Sequence, residues 1–98
     1  MTNEEFQSLN VGDLILLRGR LWFYKTNAWD SPTKRICVIT KFYDKKEYVE
    51  THDSVNGGFG DACTSWGSVG LPENFYVQFF YDGNFIDVCI VLEFLDKI

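Results

Sequence analysis

One histidine, with an aspartate beside it and a cysteine eleven residues on, is the first place where this chain could do covalent chemistry: His52, Asp53 and Cys63. An imidazole within reach of a thiol can activate it as a nucleophile, with a carboxylate to orient the ring. Such a pair needs a rigid frame. Residues 52–74, with five glycines and one proline, hold no helical or strand period to supply it. His52 therefore reads as a solvated histidine at a strand end, and no catalytic residue is assigned. One histidine and cysteines at 37, 63 and 89 make no zinc knuckle, and Asp53, Asp61 and Glu73 lack the spacing of a calcium loop. No metal and no cofactor are expected. Gly57-Gly58-Phe59-Gly60 lacks the strand-to-helix switch and the Lys-Ser/Thr of a phosphate loop, and its surroundings are acidic. Cys37 and Cys89 lie in apolar runs and read as small buried hydrophobes; Cys63, in a polar stretch, is the one thiol placed where it could react.

Binding chemistry has more to work with. The net charge of −5 is unevenly placed: residues 1–46 carry eight Lys and Arg against five acids, and residues 47–98 carry nine acids and only Lys97. If the second half forms one surface, it is negative and fits a basic groove on a partner protein. Glu47, Glu50, Asp53, Asp61 and Glu73 would supply the charge, and Phe59 and Trp66 the apolar anchors. That is the contact expected of an inhibitor that occupies the nucleic-acid channel of a host protein, as phage anti-restriction and anti-CRISPR products do. The alternative uses the first half, where Arg18, Arg20, Lys34 and Arg35 are interleaved with Trp22, Tyr24 and Trp29, the cation-and-aromatic mixture of single-strand nucleic-acid binders. Net negative charge weighs against a polyanionic ligand, so the protein-binding, non-enzymatic reading comes first.

The elements that must hold these groups read as mostly β. A chain of 98 residues, 46% hydrophobic and 17% aromatic, is one domain able to bury a core. Thr2 and Glu5 make a capping box for a short helix over residues 2–9. Strands are expected at 14–17, 21–24, 35–42 and 47–51, the last two paired as a hairpin through Asp44-Lys45-Lys46. Residues 25–34 and 52–74 read as loops. Asp82-Gly83 between two apolar alternating runs predicts a second hairpin, 75–81 with 84–94, whose long second strand would bend around a small barrel. The opening MTNEEFQSLN is acidic where a secretion signal is basic, and no apolar run is long enough to span a membrane, so a cytoplasmic protein is expected, in the host cell if phage-encoded.

The segment FQSLNVGDLILL, residues 6–17, resembles the start of SH3-like barrels, where a Gly-Asp turn leads into the first strand. The resemblance implies a small SH3-like barrel, or a strongly bent antiparallel sheet of five to six strands, with a short N-terminal helix. It implies a scaffold for peptide or nucleic-acid binding without naming the ligand. The small, acidic, aromatic-rich character also resembles phage-encoded products.

Overall fold

The computed structural model describes residues 1–52, 60–64 and 74–98. Helix α1 (Asn3–Gln7) starts at the expected capping box: Glu5 N donates to Thr2 Oγ1 at 3.1 Å, and Thr2 N donates to Glu5 Oε1 at 2.9 Å. Strands β1 (Leu14–Arg18), β2 (Trp22–Phe23), β3 (Ala28–Trp29) and β4 (Lys34–Tyr43) follow, then α2 (Lys45–Thr51). The remainder is β5 (Ala62–Cys63), β6 (Asn74–Tyr81), β7 (Asn84–Val91), a 3₁₀ turn at Leu92–Phe94, and β8 (Leu95–Lys97). No helix among the described residues is long and apolar enough to cross a membrane.

The strands form one sheet in the order β3-β2-β5-β7-β6-β4-β1-β8, antiparallel except for β5 beside β7. Eight strands in an open mixed sheet replace the expected five-to-six-stranded SH3-like barrel. In this order β1 and β2 stand five positions apart, about 24 Å across a flat sheet. The chain nevertheless joins Arg18 to Trp22 in four residue steps, a reach of at most about 15 Å. The sheet must therefore roll, with Gly19 at φ +82° making the bend. Its concave side closes on Ile15, Leu17, Cys37, Ile39, Val77, Phe79, Val88, Ile90 and Leu95, all nearly solvent-free, and α1 adds Phe6 and Leu9 to this core.

Two other expectations change. The segment 47–51 is helical because Asp44 caps it, its carboxylate accepting from Glu47 N at 2.7 Å. A helix also brings Tyr48 and His52, four apart, to one buried face, whereas a strand would place Glu50 beside Tyr48 on the inner side. The run 84–94 is not one strand: the 3₁₀ turn breaks it after Val91, and β8 crosses to the far edge beside β1. The Asp82-Gly83 hairpin forms as expected, with positive φ at both positions (51° and 79°) as a tight two-residue turn requires.

Gly60 shows how closely the second layer is fitted. At φ +80°, a Cβ placed there would lie 1.8 Å from Tyr48 Oη. Gly60→Ala is expected to cost roughly 2–5 kcal/mol, combining backbone strain with overpacking. Urea denaturation of the variant should show a lower midpoint with an unchanged slope.

Candidate functional site

The pleat that sends Ile15, Leu17, Cys37 and Ile39 inward sends their neighbours outward. Leu14 pairs with Val38, Val38 with Phe80, and Phe80 with Phe85, so one apolar row runs across four strands on the convex side. Leu16 opposite Ile36 begins a second row beside it. Phe85 is 62% exposed, Ile36 58%, Leu14 50% and Phe80 38%. The rings of Phe80 and Phe85 meet with centroids 5.0 Å apart, so the row is an ordered surface. Large apolar groups scattered singly on a surface need no explanation, whereas these six stand side by side in strand register.

Along the same convex side the row gives way to a polar belt. Asp87, on β7, accepts from Tyr43 Oη at 3.0 Å and from Gln78 Nε2 at 3.1 Å through one oxygen. His52 Nε2 lies 3.1 Å from the other oxygen, at ion-pair distance but out of line for a hydrogen bond. The backbone of Asp87 bonds Asp61 in both directions: Asp87 N donates to Asp61 Oδ2 at 2.9 Å, and Asp61 N donates to Asp87 O at 3.0 Å. Beyond the belt, α2 covers the sheet. Tyr48 stacks against Tyr43, Tyr76 and His52 and forms a second buried cluster with Cys63, Tyr76 and Cys89.

This cluster contains the Cys-His combination raised by the sequence, but in a form suited to packing. Cys63 has no solvent exposure and sits directly opposite Cys89 in the parallel β5–β7 pair. All three cysteines are buried, which corrects the expectation that Cys63 is placed to react: the short strand β5 carries it into the interior. Burial pushes the Cys37 thiol up to about 11. Burial, followed by the hydrogen bond to Asp87 and its charge, pushes the Tyr43 hydroxyl up to about 12. Tyr48 and Tyr24 are raised further, desolvation again being the main cause.

Those of the sequence-predicted residues that are described fall on several elements. Glu47 and Glu50 are exposed on α2, with Glu47 Oε1 3.8 Å from Lys41 Nζ; Asp61 is held by the Asp87 backbone. Asp53, Phe59, Trp66 and Glu73 lie outside the described residues. In the basic set, Arg18 and Lys34 are paired in the β1–β4 register and exposed, but Arg18 Nε donates to Asp96 Oδ2 at 2.6 Å and its Nη2 to Glu93 O. Arg20 is exposed, while the Arg35 side chain is buried against Asp30. Trp22 is half-buried and meets the exposed Trp29 edge-on at 5.5 Å; Tyr24 is half-buried at the Tyr48 cluster. Because β8 lies beside β1, Asp96 from the second half pairs with Arg18 from the first. The row of Leu14, Val38, Phe80 and Phe85 with Leu16 and Ile36 was not selected, although Ile36 and Val38 alternating with Cys37 and Ile39 are its sequence trace.

No family model matches the chain, and comparisons with curated proteins and with solved structures return no match.

The buried hydroxyls set an alkaline limit on stability. A tyrosine whose folded pKa is raised stabilises the fold fully below its unfolded value, near 10.0, and that contribution is lost as pH rises through the folded value, about 12 for Tyr43. Thermal melts should therefore fall steadily over this interval. The phenolate absorbance of the buried tyrosines should develop together with unfolding, and Asp87→Asn should bring Tyr43 ionisation to lower pH.

Proposed function

We propose that the protein is a non-enzymatic protein-binding module whose contact surface is the bare convex face centred on Ile36, Phe80 and Phe85. The apolar row across four strands carries this reading. It has the composition of an interface core, aromatic and aliphatic with few charges, and polar groups at its margin: Lys34 and Arg18 at one end, Thr40, Lys41 and Gln78 at the other. A net charge of −5 favours encounter with a partner that is basic overall. An inhibitor of a host nucleic-acid-binding protein is one member of this class. For such an inhibitor, too, the apolar face is a better contact than an acidic one, since Asp61 and Asp87 are engaged internally and Asp96 is paired with Arg18.

A nucleic-acid role has less to draw on. Of its four cations, Arg35 is buried and Arg18 is engaged by Asp96, which leaves Arg20 and Lys34 exposed, as Trp29 is.

Ile36→Asp and Phe85→Ser place polar groups at exposed positions, so folding should be little affected. Capture of the partner should weaken by about thirtyfold or more, as for interface anchors generally. Glu47→Gln with Glu50→Gln should change association rate and salt dependence only. Equal capture by Ile36→Asp and the parent chain removes this reading. Sedimentation velocity on the isolated chain distinguishes a second copy from a foreign partner as the occupant.

A further inference from the structure

Beside the Phe85 end of the apolar row the sheet opens into a cleft of about 520 Å³, within the usual range for sites that take a small group. Its walls are Phe23, Tyr81, Phe85, Ile86 and Pro32, and its lining includes Arg35. The Arg35 side chain is 1% exposed and stacks over the Tyr81 ring at 5.3 Å. Its Nη2 donates to Asp30 Oδ2, and Asp30 is held in turn by Leu21 N at 2.9 Å. Nε and Nη1 have no hydrogen-bond partner. A guanidinium carries five N–H donors, and burying charged donors unmet is among the costlier arrangements a fold can hold. Only an oxygen or similar acceptor can satisfy them. In the unliganded fold these two nitrogens are closed off, so an acceptor reaches them by displacing a side chain of the wall.

The charges around the cleft choose among acceptors. Asp30 neutralises Arg35, which leaves Lys25 against Asp61 and Asp82. A phosphate or free carboxylate entering there meets an excess of negative charge. A peptide carbonyl does not, and a basic side chain next to it is attracted. The aromatic walls accept a ring or a long aliphatic chain.

We propose that this cleft is a peptide subsite: it takes an aromatic or large aliphatic residue that is followed by a basic one, with a main-chain carbonyl of that segment accepting from Arg35. The proposal rests on the protein-binding reading and gives its partner a chemistry, since Phe85 belongs both to the bare face and to the cleft wall.

The test is an NMR titration of the whole chain with acetyl-Phe-Lys amide, following the Arg35 Nε–H signal and the rings of Phe23 and Phe85. Saturable shifts with a millimolar Kd are expected, as suits a ligand of so few contacts. Acetyl-Phe-Glu amide should bind about fivefold more weakly, and acetyl-Ala-Lys amide should give no saturable shift. Arg35→Met should weaken the Phe-Lys probe roughly tenfold. Should that variant fail to fold, Asp82→Asn, at an exposed turn position whose positive φ asparagine tolerates, should abolish the preference for Lys over Glu. Absence of shifts, equal binding of the Lys and Glu probes, or tighter binding of inorganic phosphate than of the peptide overturns the subsite. These results are separable from failure of the face: a silent cleft with capture still lost in Ile36→Asp rejects the subsite alone.

Discussion

A single carboxylate holds the second layer of this protein in place. Asp87 is only 14% exposed in its side chain, and an ion so placed is tolerated where hydrogen bonds replace the water it has lost. The carboxylate accepts from the end of β4 (Tyr43) and from β6 (Gln78) and has the C-cap of α2 (His52) at ion-pair distance, while the backbone of Asp87 bonds the approach to β5 (Asp61). Each of these elements is brought to one point on β7. The position of α2 follows from it: with Tyr43 and His52 drawn to Asp87, Tyr48 is placed over Tyr76 and Cys89, and the two-residue strand β5 is closed in beneath. Buried polar groups of this kind specify an arrangement more than they stabilise one, because each partner satisfied in one register is orphaned in any other.

That arrangement divides the convex side of the sheet. Where α2 lies, an outward residue such as Cys89 is as dry as the core; on the other side of the belt, Ile36 and Phe85 stand in solvent though they occupy equivalent positions in the pleat. An exposed apolar face on a sheet invites unwanted pairing through the sheet edges. Here the edge strands are β3, of two residues, and β8, of three, with Lys97 at the end of the latter, so neither offers a long ladder to another chain. The rolled shape adds to this, since a strongly curved sheet makes a poor template for edge growth. A face can thus remain apolar for a partner without the molecule being generally adhesive.

Much of the framework was legible where the signal is local. Thr2 and Glu5, or Asp82 and Gly83, act within a few residues, and the backbone follows them. The misread segments lack that property. Five residues with one tyrosine, 47–51, are too few to separate a period of two from one of 3.6, and Asp44 with Glu47 three positions on was the cue that would have decided it. The run from Val88 to Leu95 is apolar at almost every position and carries no phase, so nothing local shows that it turns after Val91. Strand β5 is two residues among glycines; its partner, β7, lies 26 residues away in parallel register, a pairing that no local pattern encodes. The charge asymmetry likewise does not show where the charges meet. It is a property of chain order, and β8 returning beside β1 puts Asp96 on Arg18.

Two charged side chains with little exposure, Asp87 and Arg35, make a useful contrast. Asp87 is met by donors from several elements, and a structural role accounts for it completely. Arg35 lies at an inward position of β4, next in alternation to Cys37 and Ile39, where a leucine or methionine would pack without any polar demand. One nitrogen of the guanidinium anchors Asp30 and so the β2–β3 hairpin, but asparagine-level hydrogen bonding could do that without burying a permanent cation. Replacing a buried ion pair with apolar residues commonly leaves stability unchanged or improves it, so packing alone gives no reason for an arginine here. The groups that remain unmet, Nε and Nη1, belong to a side chain that lines a cleft opening beside the bare face. A cost in folding energy, held at a place where two independent surface features meet, is what a binding site built for an incoming acceptor looks like before that acceptor arrives.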